Sequence, residues 1–371
     1  MKVTRTLKLV TVALSLWLGA TASAFAFNRP NGRILESSGD VVVLRGDRNI
    51  RATLGMTIYP SDRLQVNEGG QLLVLCANLE TQAVSSGSIL PNRCTGAREE
   101  AKCSPDLAGC PDRGTILAWG DTSIPFSVSP RRTKVFKSRP ILRWNPVAGA
   151  TSYLVTVTGV SEDGREMQWS VETTDTSLVY IPESDEQVLQ PGWDYLLVVE
   201  TDTGVASFEE SVQLGGMGFQ LLDKTEEKEL RSRQSLFIQQ SISLEAKGLA
   251  IARLFLEYDA IGEAILLLES VLPMSETAAL HLLIGELYQD RLLIAPPAAK
   301  HYERAIALAD EANLEEKALA YEGLGRVRAA MQNYTDAIDL LTQARRIYEE
   351  LGDRDRLEEL DKTIQELITD N

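Results

Sequence analysis

Residues Lys317–Gly352 read KALAYEGLGRVRAAMQNYTDAIDLLTQARRIYEELG. Two amphipathic helical runs meet at Gln332-Asn333-Tyr334; Tyr321, Leu324 and Gly325 recur at helical spacing on the first, and Ala337, Leu341 and Ala344 on the second. Gly or Ala at such positions lets two helix axes approach closely, while Leu or an aromatic fills the gap to a neighbour. One pair of this kind cannot bury both of its faces, so further pairs are expected beside it.

They are found upstream. Ala252 precedes Ala264, Leu268 and Val271, with Pro273 as a stop; Gly285 and Tyr288 precede Ala298, Tyr302 and Ala305, offset around Pro296-Pro297. The centres Ala264, Ala298 and Ala337 lie 34 and then 39 residues apart, so the second interval predicts a longer helix or loop. Asp223 and Glu226 have capping-box spacing at the start of a helix expected to run to about Ile242, and Asp353 to Leu367 reads as a closing helix. This series resembles tetratricopeptide repeats, and the third copy carries the resemblance best. The resemblance implies a helical solenoid over 215–371, with the first helix of each pair lining a concave side. Its register places Arg253, Glu257, Glu286, Gln289 and Arg326 there as partner-binding candidates. Their mixed charge suits an acidic or C-terminal peptide segment, against the alternative of an ordinary solvated face. The unit from Gly215 onward is expected to fold alone.

The first part of the chain has a different grain. From Gly32 to about Phe126, short apolar runs are broken by Gly, Asp and Asn at intervals of roughly ten residues, which predicts an all-β unit over 27–126. Gly39, Gly46, Asp62, Leu64 and Gly70 resemble the FecR-like β-domain of bacterial envelope proteins, although Ser61 stands where that family usually has Gly. Family members include sensors that signal through a membrane helix, and no such helix is read here beyond the leader. From Pro140 to Gln213, strict alternation in Ile141–Trp144, Thr151–Val157, Gln168–Val171 and Trp193–Val199 predicts a small sandwich over 139–213. Its P-x-L-x-W start and the run Leu189 to Tyr195 resemble a fibronectin type III or immunoglobulin-like module, with Trp144 and Tyr153 in the core. The basic run Arg131 to Pro140 between the two reads as a solvated linker. The expected fold class is therefore multidomain: an all-β N-terminal domain and β-sandwich followed by an all-α helical repeat.

Lys2, Arg5 and Lys8, an apolar run from Leu9 to Ala20 and an A-x-A pair predict a signal peptide over 1–26, and hence a periplasmic or secreted protein. The net charge is −16, and removing the leader's three basic residues makes it −19, which argues against charge-driven binding to nucleic acid. Between Ala246 and Asn371, 13 basic residues face 24 acidic ones, so the helical part carries much of that charge. Cys76, Cys94, Cys103 and Cys110 cluster in an exported chain without C-x-x-C spacing, which predicts two disulfides rather than a metal site. Three pairings are open; the short turn Ser104 to Gly109 favours Cys103 with Cys110, leaving Cys76 with Cys94.

Catalytic readings find little support. His281 and His301 have no Cys, Ser or carboxylate at a spacing that builds a dyad or metal set, and the carboxylates of 353–359 sit at exposed helical positions. Gly215-Gly216-Met217-Gly218 lacks the third glycine and the Lys-Ser or Lys-Thr of a phosphate loop, so no cofactor is expected. The expected function is a non-enzymatic, exported scaffold or adaptor that binds a protein partner through its repeats. The alternative is an envelope sensor or glycan-binding protein in which the β units recognise the ligand.

Overall fold

The computed structural model describes residues 30–94, 122–207, 217–310 and 313–369. The expected leader, Cys103 and Cys110 lie outside those residues.

The N-terminal unit contains β1 (Gly32–Ser38), β2 (Val41–Arg45), β3 (Arg48–Arg51), β4 (Thr57–Ile58), β5 (Arg63–Val66), β6 (Gln71–Cys76), β7 (Thr81–Val84) and β8 (Ser88–Pro91). They form two antiparallel sheets, ordered β4-β1-β6-β7 and β3-β2-β5-β8. Ile34, Val43, Leu64 and Val74 close the core between them, and a Cys76–Cys94 disulfide ties the end of β6 to the segment after β8. The alternation seen in β2 and β5 is that of strands buried on one face. In β6 the apolar run is continuous because both faces are covered: Leu72, Val74 and Cys76 face the β core, while Leu75 joins the core of the helices. A bulge in β1 between Ile34 and Glu36 accompanies the placement of Leu35 in that same helical core.

The sandwich contains β9 (Ser127–Ser129), β10 (Thr133–Val135), β11 (Ile141–Trp144), β12 (Tyr153–Ser161), β13 (Glu166–Thr173), β14 (Ser177–Val179), β15 (Trp193–Thr201) and β16 (Phe219–Leu221). Its sheets are ordered β10-β16-β15-β12-β13 and β14-β11-β9. Trp144, Tyr153, Trp169, Trp193, Tyr195 and Phe219 fill the space between them. Gly159 leaves room for Tyr195, whose ring atoms would lie 2.6 Å from any Cβ placed there.

Two expectations change here. The basic run is a solvated linker only over 137–139, which are exposed. Its residues 133–135 form β10, which pairs in parallel with β16, and Arg131 is 1% exposed with its Nε donating to the Leu292 carbonyl at 2.7 Å. A buried guanidinium is easier to tolerate where a backbone oxygen accepts from it, and local composition cannot reveal an acceptor so distant in sequence. The sandwich also extends beyond 139–213, since it takes strands from 127–135 and 219–221.

The helices are α1 (Lys224–Gln239), α2 (Leu244–Glu257), α3 (Ile261–Val271), α4 (Ala278–Glu286), α5 (Ala295–Leu308), α6 (Leu314–Ala330), α7 (Tyr334–Leu351) and α8 (Arg354–Thr369). Asp223 caps α1 with the reciprocal Glu226 bond, as its spacing predicts. Helices α2 and α3, α4 and α5, and α6 and α7 pack as successive pairs. The small residues act where expected: a Cβ on Gly325 would lie 2.8 Å from Leu341 Cδ2, and one on Gly285 would lie 2.9 Å from the Tyr302 ring. A π-helical segment, Leu287–Leu292, and left-handed Leu293 (φ 57°) lengthen the connection from α4 to α5. Among the described residues, no helix is long and apolar enough to cross a membrane.

One core runs through α1 to α6 and takes in Leu35, Leu75, Leu79, Phe126, Leu196 and Met217 from the β part of the chain. The helices are thus packed against both β units.

Candidate interaction face

The N-terminal β unit rests on the first helix of each pair. Leu54 to Ile58, at the loop entering β4, approaches α4 closely enough that a Cβ on Gly55 (φ +84°) would lie 3.1 Å from Leu280 Cδ2. Thr277 makes two bonds there: its hydroxyl donates to the Leu54 carbonyl at 2.9 Å and accepts from Leu280 N–H at 3.2 Å, capping α4. Near α2, the backbone N–H of Ser243 donates to the Glu36 carboxylate. Arg33 reaches Glu286 of α4 at 3.9 Å and donates to the Gly55 carbonyl at 3.1 Å.

The strongest polar contact is at α6. Arg45, at the end of β2, donates from Nε and Nη2 to the two Asp62 oxygens at 2.8 and 2.7 Å, and from Nη2 to the Thr57 carbonyl at 2.8 Å. Its Nη1 pairs with Glu315 in the first turn of α6, and its guanidinium lies 4.4 Å from the Tyr59 ring centroid. Burial opposes the Arg45 charge, but the Asp62 hydrogen bond and the Glu315 and Asp62 charges hold its pKa above the usual guanidinium value. The neighbouring Glu316 is buried, and its carboxyl is pushed up to about 7 by desolvation and then by Glu315, with Arg45 and Arg33 pulling the other way.

A second network joins α6, α7 and α8. Buried Glu322 accepts from Tyr348 Oη at 2.8 Å and Arg356 Nη1 at 3.1 Å, and pairs with Arg326 at 2.6 Å. Arg326 also reaches Glu359 at 3.1 Å.

The five residues predicted for a partner do not share one open surface. Glu286 faces Arg33 of the same chain, and Glu257 pairs with Arg233 of α1 at 3.0 Å with its side chain 9% exposed. Arg253 is half-buried on α2 and engaged within the chain. Gln289 lies in the π-helical segment at 7% exposure, with no hydrogen-bond partner for its Oε1 among the described residues. Arg326, 42% exposed, remains accessible although paired. Sequence reading missed Arg33, Arg45, Glu315 and Glu316. Arg45 precedes the Gly46-Asp47 turn and reads as ordinary turn flank, while acidic residues in a helix's first turn are expected from its dipole alone.

The two histidines, also overlooked as a pair, are in contact. His281 of α4 and His301 of α5 lie Nδ1 to Nδ1 at 3.0 Å, and His281 Nε2 is 3.0 Å from Glu276, whose carboxylate also receives two bonds from Arg304 at 2.7 and 2.6 Å. Among the described residues, no group of three or more His, Cys, Asp or Glu side chains could hold a metal ion.

No family model and no curated protein matches this sequence. Among solved structures, the crystal structure of MamA aligns with 40% of this chain and 97% of its own, at 18% identity and a TM-score of 0.27. A score that low leaves the fold and the function to be argued from the chain's own geometry.

Proposed function

We propose that this chain is an exported scaffold or adaptor that binds protein through its helical array, with binding rather than catalysis as its activity. The observation that carries the reading is the array's own first-helix face. It accommodates a folded β unit through an apolar strip around Leu280 and through carboxylates, Glu286 and Glu315, directed at arginines. Protein recognition of this kind joins apolar contact with desolvated charge pairs. The resemblance of the helix pairs to tetratricopeptide repeats supports the same reading. Near α8 the face continues into the Arg326 and Glu359 region, which the β unit leaves partly exposed.

The glycan-binding alternative is weaker, because Trp144, Trp169 and Trp193 of the sandwich are all buried and present no stacking platform. A photo-crosslinking residue at position 326, with a control at 349, tests the scaffold reading in intact cells. A discrete protein adduct from 326 alone is the expected result. Capture at neither site, with envelope material retained by the β units, would move recognition to those units.

A further inference from the structure

The chain has two histidines, and both are buried in one hydrogen-bonded pair. Their proton positions follow from their neighbours. The Glu276 carboxylate only accepts, and it is held down to about 2 by its Arg304 hydrogen bonds and then by His281, so it stays ionised in mild acid. His281 therefore donates from Nε2. A neutral ring donating there has its lone pair at Nδ1, which accepts from His301 Nδ1–H at 3.0 Å. His301 Nε2 is left with the only remaining lone pair of the two rings.

A first added proton goes to that Nε2 and leaves the pair intact, with a charged donor in place of a neutral one. A second has only His281 Nδ1, and it sets two N–H groups against each other. The interaction then turns from attraction to repulsion between two cations. Charges on neighbouring elements bear on the pair unequally: Lys300 and Arg304 of α5 oppose protonation, Glu276 favours it at His281, Glu303 lines the same hollow, and the Tyr288 ring covers one face of His301 at 5.8 Å.

The pair's position gives this chemistry a consequence. Glu276 and His281 bracket Thr277 and Leu280, which, together with Glu286 at the far end of α4, contact the N-terminal β unit. On the other side, Tyr288 Oη donates to Glu269 of α3 at 2.8 Å, and Glu269 pairs with Arg143 of the sandwich at 3.4 Å. The histidines thus lie between the contacts made by the two β units.

We propose that His281 and His301 form an acid-operated joint: double protonation parts α4 from α5 at this end and releases the N-terminal β unit from α4. The inference rests on the first-helix face being the interaction face, and it gives that face a regulation, since release uncovers Leu280 and Glu286. Burial holds both rings below the usual histidine range, His301 to about 4, so the second proton, which must break the shared hydrogen bond beside a cation, is taken up below about pH 4.

Hydrogen exchange on the full chain tests the joint by reading docking itself, independently of any external partner. Between about pH 5 and pH 3, protection factors for 52–57 and 277–283 are expected to fall about tenfold or more while the β12–β13 hairpin keeps its protection. H301F cannot be protonated and retains a ring against Tyr288, so it is expected to keep docking protection at the lower pH. H301Q serves if the phenylalanine variant is unfolded at neutral pH. Wild-type protection that survives to about pH 3, or the same loss in wild type and variant, would overturn the proposal.

Discussion

Arg45 and Glu315, 270 residues apart in sequence, form an ion pair across the junction between the N-terminal β unit and α6, and Asp62 holds the other edge of the same guanidinium. The two carboxylates have different jobs. Asp62 has no exposed side-chain surface and accepts from Tyr59 N–H at 2.9 Å, so it belongs to the β unit's own fold, whereas Glu315 belongs to docking. Removing the shared arginine leaves a buried carboxylate uncompensated, which costs about 3–5 kcal/mol. R45A is therefore expected to unfold the β unit in denaturant titration. E315Q is expected to leave that unit folded and only raise exchange at the junction.

Gly55 gives a second, purely steric test. Both Gly55 and Gly46 have positive φ, +84° and +59°, but a Cβ on Gly46 would meet nothing within 4 Å, while one on Gly55 would press on Leu280. G46A is expected to cost about 1–2 kcal/mol of backbone strain. G55A adds overpacking of about 1–3 kcal/mol, so its unfolding midpoint should fall further.

Glu263 and Glu316 make stability depend on pH. Burial raises both carboxyls from 4.5 to about 7, and Glu263 Oε2 has no hydrogen-bond partner among the described residues. A raised folded-state pKa means the folded chain binds more protons than the unfolded chain between those values. The resulting stability is full below the lower value and is lost as pH rises through the upper. The melting temperature is thus expected to rise as pH falls from about 7.5 to about 5, and E263Q should flatten that rise. The histidines act with the opposite sign at lower pH: their depressed values give stability that is lost as pH falls through them.

The helical part is expected to be a poor independent unit, contrary to the expectation from its sequence. Leu280 and Leu249 belong to a core that includes Leu35, Leu75 and Met217, and β16 precedes α1 as a strand of the sandwich. A fragment from Gly215 to Asn371 would expose that surface to water at about 25 cal/mol per Å² of apolar area. Circular dichroism with a concentration series should show helix accompanied by self-association, and a monomeric, cooperatively melting fragment would refute this.

What was legible in the sequence was local. Gly325 against Leu341 and the Asp223 capping box follow from spacing along one or two helices, and the alternation of β12 reports one buried face. The Cys76–Cys94 pair matched the preferred pairing. What lay beyond reach depended on distant partners: Arg131 bonds a carbonyl 161 residues away, and the partly exposed Glu286 lies 3.9 Å from Arg33. Neither charge differs in sequence from one bathed in water. The continuous apolar run of β6 did carry a signal of double burial, because a strand solvated on one face would alternate.

The β unit's outer face, with Leu35 and Leu75, also has a history in time. The Leu54 carbonyl meets its donor, the Thr277 hydroxyl, only after 223 further residues have been joined. At typical synthesis rates that is an interval of roughly ten to forty-five seconds. During it, the first unit made lacks the helices that cover Leu35 and Leu75. Slowing translation within the helices would lengthen that uncovered interval.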